Sequence, residues 1–175
     1  MRICLFGGPG SGKSTTSSRL FSSIKEKRYS IELVQEYVKQ WAYKGLSPVS
    51  FDQVYLFAKQ IKLEDTLIEG GARNIITDSP LYLSCYYAYN ANLDYWEDLK
   101  EIAKKFDKKN RSINLLLDRK NIEYSSEGRY EKTKNEAVEK DLEIEAFLKK
   151  IDVAYTKVET LDYNFILKQV ESVLE

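Results

Sequence analysis

Gly7-Gly8-Pro9-Gly10-Ser11-Gly12-Lys13-Ser14-Thr15 places glycines, a lysine and two hydroxyls in the spacing G-x-x-x-x-G-K-[ST]. Glycines let successive backbone N–H groups turn inward, and a helix beginning near Gly12 adds the positive end of its dipole. The result is a cradle for linked phosphates. In it Gly8, Pro9, Gly10, Ser11, Gly12, Lys13, Ser14 and Thr15 would hold a nucleoside triphosphate, with Lys13 on the β and γ phosphates and Ser14 as a magnesium ligand. The cofactors this motif calls for are ATP and Mg2+.

The chain contains no histidine, so acid or base chemistry falls to carboxylates, Lys or Tyr. Asp78 follows the apolar run Asn74-Ile75-Ile76-Thr77. It either holds magnesium at the end of a strand or starts a turn before Pro80, and beside the loop at Lys13 the metal role is the favoured one. Glu36 ends another apolar run and is positioned to accept the proton of a substrate hydroxyl, the alternative being a solvated glutamate at a helix start. Arg129, next to Gly128, is the preferred arginine for a closing lid that neutralises charge on a transferred phosphoryl group. Arg119 is the second choice, and both sit in a polar segment that reads equally well as a solvated loop.

These residues need elements to hold them. Short apolar runs at Ile3–Phe6, Ile31–Val34, Ile75–Thr77, Ile113–Leu117 and Val153–Val158 read as strands. Between them lie helical stretches from about Gly12 to Lys25, Leu81 to Tyr89, Tyr95 to Phe106 and Asn135 to Lys150, plus a last helix capped by Asp162. The spacing of Phe51, Val54, Tyr55, Ala58, Ile61 and Ile68 predicts a helix over 50–69, with Ser50 and Gln53 as a capping box and Gly70-Gly71 as its stop. Strands alternating with helices give an α/β, three-layer sandwich around a mainly parallel five-stranded sheet. The reading is a single domain over 1–175, with a mobile lid at about 118–133.

At 175 residues with 43% apolar content, the chain can bury a core without staples. Lys plus Arg and Asp plus Glu balance at 27 each, which removes any global attraction to polyanions or anionic membranes. A nucleic-acid partner would need a local basic groove. Two distant cysteines, Cys4 and Cys85, and the lack of a run near the roughly 20 apolar residues that span a bilayer point to the cytoplasm. The oligomeric state is left open, a homodimer included.

The phosphate loop, Glu36-Tyr37 after the second strand, Ile75-Ile76-Thr77-Asp78 at the third, and Glu127-Gly128-Arg129 before the next helix occur in an order that resembles the NadR-like ribosylnicotinamide-kinase domains. Small AAA-type P-loop proteins, common in phage genomes, are similar, and for a phage-encoded chain the location would be the host cytoplasm. The resemblance implies a P-loop nucleoside or nucleotide kinase in which Lys13 is the phosphate lysine. Ser14 and Asp78 would be the magnesium partners, Glu36 the hydroxyl base and Arg129 the lid charge. Two features depart from the pattern. Here Arg129 follows Gly128 directly, where the family sets a residue between them. Asp78-Ser79 also lacks the arginine that deoxynucleoside and thymidylate kinases place after their acidic residue, so their substrates do not transfer. The adenylyltransferase domain beside the kinase in full-length NadR proteins has no counterpart here.

The leading expectation is ATP- and Mg-dependent phosphotransfer to a small nucleoside-like or nucleotide acceptor. A monophosphate acceptor would call on Lys39, Lys44, Lys59 or Arg73. Two alternatives are a kinase acting on DNA or RNA, at an end or a modified base, and a nucleotide-dependent regulatory NTPase. Against the last, the N-K-x-D and D-x-x-G motifs of guanine-nucleotide switches are missing from their expected places.

Overall fold

An apolar run without polar alternation must be covered on both faces. In the computed structural model, which describes residues 1–120 and 122–174, β1 (Arg2–Phe6) meets that demand. Cys4 and Phe6 pack into one cluster with Leu83, Tyr86, Phe106 and Phe147, while Ile3 and Leu5 join a second with Leu20, Ile24, Val158 and Ile166. The two clusters lie on opposite faces of one sheet.

Four further strands, β2 (Ile31–Val34), β3 (Asn74–Thr77), β4 (Ser112–Asp118) and β5 (Thr156–Glu159), complete that sheet. All pairings are parallel, and the order is β2-β3-β1-β4-β5. The helices among the described residues are α1 (Lys13–Glu26), α2 (Lys39–Tyr43), α3 (Asp52–Glu69), α4 (Leu81–Asn90), α5 (Trp96–Lys109), α6 (Lys134–Lys150) and α7 (Tyr163–Glu171). Helices α1 and α7 cover one face, and α3 to α6 pack on the other. The fold is therefore the expected three-layer α/β sandwich. Because every strand runs the same way, Gly7, Gln35, Asp78, Arg119 and Thr160 all emerge at one edge.

Two local expectations are corrected. The capping box of Ser50 and Gln53 does not form: Ser50 adopts a left-handed φ of 48°, and α3 starts at Asp52 without a side-chain cap. Asp52 instead accepts a hydrogen bond from the Val49 amide at 2.8 Å, closing the turn before the helix. Val153 closes the turn that follows α6 rather than starting a strand. Its amide donates to Leu148 O at 3.0 Å while Asp152 takes φ 57°, so β5 begins three residues later. The Asp162 cap does form, its carboxylate accepting from the Phe165 amide at 3.1 Å.

Candidate active site

Strand β1 ends at Phe6 and the chain turns through the glycines into α1. Gly7, Gly10 and Gly12 have φ of 146°, 71° and 91°, angles that a side chain resists. Helix α1 begins with no side-chain cap and no acidic residue in its first turn. Its amides are left free to face an anion.

A cavity of about 460 Å³ opens at this edge, lined by Pro9, Gly10 and Gly12 to Thr15 of the loop together with Glu36, Ser79 and Arg129, while Ser11 is buried behind it. Lys13 Nζ donates to Gly7 O at 2.7 Å and Gly8 O at 2.9 Å. Burial pulls its pKa down, while Glu36, Asp78 and Asp141 oppose that pull. Burial pushes the Glu36 carboxyl above the ordinary glutamate range; Lys13 counteracts this and Asp78 adds to it. The two carboxylates and the lysine thus feel one another across the crevice.

Asp78 is 3% exposed, and its Oδ1 has no hydrogen-bond partner among the described residues. Ser14 lies exposed on the cavity wall. The described residues contain no cluster of three or more His, Cys, Asp or Glu able to hold a metal by themselves. One orphaned carboxylate oxygen and one serine hydroxyl fit Mg2+, which keeps waters and binds through one or two carboxylates plus phosphate oxygens.

The arginines part company. Arg129 reaches the cavity, its guanidinium held by the carbonyls of Ser125 and Glu127 and lying 5.7 Å from the Tyr124 ring centre. Arg119 is no lid residue. It is 5% exposed and locked against Asp141 of α6, because it leaves β4 directly beneath the loop. Of the span 118–133, Asp118 is still in β4 and Asn121 lies outside the described residues. Of the rest, Ser125 and Glu127 to Glu131 line the cavity. The Tyr124 ring covers Gly10 closely enough that a Cβ there would sit 2.9 Å away, Gly128 abuts the Tyr43 ring, and the Tyr130 hydroxyl donates to Leu46 O at 2.6 Å.

Several lining residues escaped sequence reasoning. Gln60 and Ser84 form part of the buried wall, the half-buried Tyr87 also lines the cavity, and Lys140 reaches it from α6. Gln60 carried a faint signal, a polar residue on the apolar face of α3, and its Nε2 donates to Thr77 Oγ1 at 3.2 Å. Tyr87 belongs to a set of aromatics after the second and third strands, some of which could stack on a base, and nothing in the sequence singles it out.

Solved structures of known proteins show the same architecture. A deoxyadenosine kinase from M. mycoides is 20% identical, with 98% of this chain and 97% of that one covered and a TM-score of 0.55. A NadR protein is 17% identical at a TM-score of 0.70, covering 99% of this chain but 49% of its own length. Shikimate kinase from Aquifex aeolicus is 22% identical over 98% and 95% of the two chains, with a TM-score of 0.51. No curated protein sequence matches the chain. These likenesses establish the P-loop kinase fold, and the AAA domain model matches residues 2–164, so the chain belongs to that family.

Proposed function

We propose that the chain transfers the γ phosphoryl group of ATP, with Mg2+, to a hydroxyl of a small nucleoside-type acceptor. The observation that carries this reading is the composition of the cavity. Its phosphate loop is continuous with a buried floor of Leu56, Gln60, Ser79 and Ser84 that bears hydrogen-bonding groups but no cation. A phosphate seated there would be a buried charge without a partner; a base or carboxamide finds donors and acceptors. Of Lys39, Lys44, Lys59 and Arg73, only Lys39 lines the cavity, and it is exposed; Lys140 of α6 also lines it but is paired with Glu143 at 2.8 Å. Lys59 lies 5.4 Å from the outer Tyr55 ring, and the Arg73 carbonyl accepts from the chain's own amino terminus at the opposite edge of the sheet.

In this reading the acceptor oxygen bonds to the γ phosphorus as the bond to the β–γ bridging oxygen breaks, and ADP leaves with that electron pair. Glu36 takes the hydroxyl proton. Its raised pKa makes it a stronger base than an ordinary glutamate, and the Lys13 charge favours the ionised form that accepts the proton. Lys13 follows the charge on the moving phosphoryl group, Arg129 adds to it, and Ser14 and Asp78 hold Mg2+, which when bound neutralises phosphate charge. Residues 122–131 act as a lid, since they already span loop and α2. The M. mycoides deoxyadenosine kinase was solved with dCMP and dCDP, and the NadR protein with NR, which supports an acceptor of this class.

The test is transfer of labelled phosphate from ATP across nucleosides, their monophosphates and short oligonucleotides. Label on at least one nucleoside or ribosylated base, well above that on the matched monophosphate, is expected. Labelling of monophosphates or oligonucleotides alone would overturn the acceptor assignment.

A further inference from the structure

The loop that the proposed function assigns to ATP is gripped from behind by residues that do not themselves line the cavity. Asp141 Oδ1 accepts from the Gly8 amide at 2.6 Å. Its two carboxylate oxygens take a forked pair from Arg119, through Nε and through Nη2, the latter at 2.9 Å from Oδ1. Arg119 Nη2 also donates to Pro9 O at 2.9 Å and to Ala137 O on α6 at 3.0 Å. One ion pair therefore ties two successive parts of the loop to α6.

The peptide between Gly7 and Gly8 is the centre of this arrangement. Its N–H donates to Asp141 and its C=O accepts from Lys13 Nζ at 2.7 Å. An anion at one end and a cation at the other polarise the same peptide group, so each hydrogen bond strengthens the other. The contact is possible because residue 8 is glycine: a Cβ there would stand 2.6 Å from Asp141 Oδ1 and 3.1 Å from Ala137 O.

We infer that Asp141 and Arg119 are positioning residues of the nucleotide site, a clamp that holds the glycine-rich loop and the Lys13 ammonium in register for the triphosphate. This rests on the loop binding ATP as proposed above. Four of the six residues from Gly7 to Gly12 are glycine, so an unclamped loop has an unusually large choice of conformations to lose when a ligand arrives. A carboxylate so close to a phosphate site would repel its ligand if alone. Arg119, paired with it through both oxygens, cancels that charge and leaves the geometric hold.

ATP affinity of the full chain, measured by titration with Mg2+ and without acceptor, and the KM values for ATP and acceptor separate this role from a merely structural one. Asp141→Ala should weaken ATP binding by roughly tenfold and raise its KM to match, with the acceptor KM unmoved. Asp141→Asn keeps an oxygen for the Gly8 amide and should lose less. Arg119→Met, which leaves the carboxylate uncancelled, should lose most. If Asp141→Ala does not fold, the order Arg119→Met below Asp141→Asn below wild type still decides the matter. A wild type that binds ATP, with folded variants that bind it equally well, overturns the clamp alone. A wild type that binds no ATP overturns both the clamp and the kinase reading.

Discussion

Charge is buried or half-buried at both ends of this sheet, and apart from the Arg119–Asp141 pair the two ends handle it differently. At the amino end Arg2 is 2% exposed and forms a 2.7 Å ion pair with Glu64, itself 0% exposed, and a second pair with Asp107. Each charge there touches its opposite. At the carboxyl end Lys13, Glu36 and Asp78 sense one another, yet none of them hydrogen-bonds to another side chain among the described residues. Holding charges unmatched costs stability and is retained where a ligand completes them. Under the proposed function, the pairing of a sequestered charge distinguishes the two ends better than its burial does.

Opposite substitutions at the two ends should break or sharpen that contrast. Lys13→Ala is expected to cut phosphotransfer by about a thousandfold, the loss of a charge that follows the transition state, with the unfolding midpoint in denaturant unchanged or raised. Arg2→Leu should do the reverse. It strands Glu64 and should cost about 3–5 kcal/mol of stability in denaturant titration, while the turnover of the folded protein stays near normal. If Arg2→Leu lowered turnover as much as Lys13→Ala, the distinction between matched and unmatched charge would fail.

Glu36→Gln should lower transfer by roughly a hundredfold with ATP affinity unmoved. The carboxyl must be ionised to accept a proton, and its pKa is raised, so the wild-type rate should fall with decreasing pH at a higher pH than an ordinary glutamate would give. That acidic limb should disappear in the Gln variant. Its persistence would assign the titration to another group. Asp78→Asn is expected to raise the magnesium concentration for half-maximal rate about tenfold, because the orphaned Oδ1 then loses its charge. An unchanged magnesium curve would leave Asp78 as a turn residue. The smallest effect belongs to Gly128→Ala. A left-handed φ of 64° and a Cβ 2.6 Å from the Tyr43 ring both resist the methyl group, but Tyr43 is exposed and free to yield, so a rise of a few-fold in acceptor KM is expected.

The phosphate loop and the strand ends were legible in the sequence for the same reason: each is written in consecutive residues. Glycines next to an apolar run specify both a turn and its place at a sheet edge, and Asp78 and Glu36 follow from where apolar runs stop. What the sequence hid depends on contact across the chain. Gly8 and Asp141 meet although 133 residues apart, and on α6 Asp141 is one carboxylate among several. Arg119 looked like a loop charge because nothing in its neighbours reveals the helix packed over it. Ser50 misled in a smaller way: a serine before an apolar helix is a cap only if its backbone stays extended, and its left-handed turn removes that condition.

The most direct test of the account is ADP formation from ATP and Mg2+ with and without nucleoside acceptors. Unmatched charges that wait for two ligands should turn ATP over slowly alone and many times faster once an acceptor hydroxyl fills the floor beside Glu36. ADP formation at one rate, whatever acceptor is added, would contradict the kinase reading and leave the site to a nucleotide-hydrolysing switch.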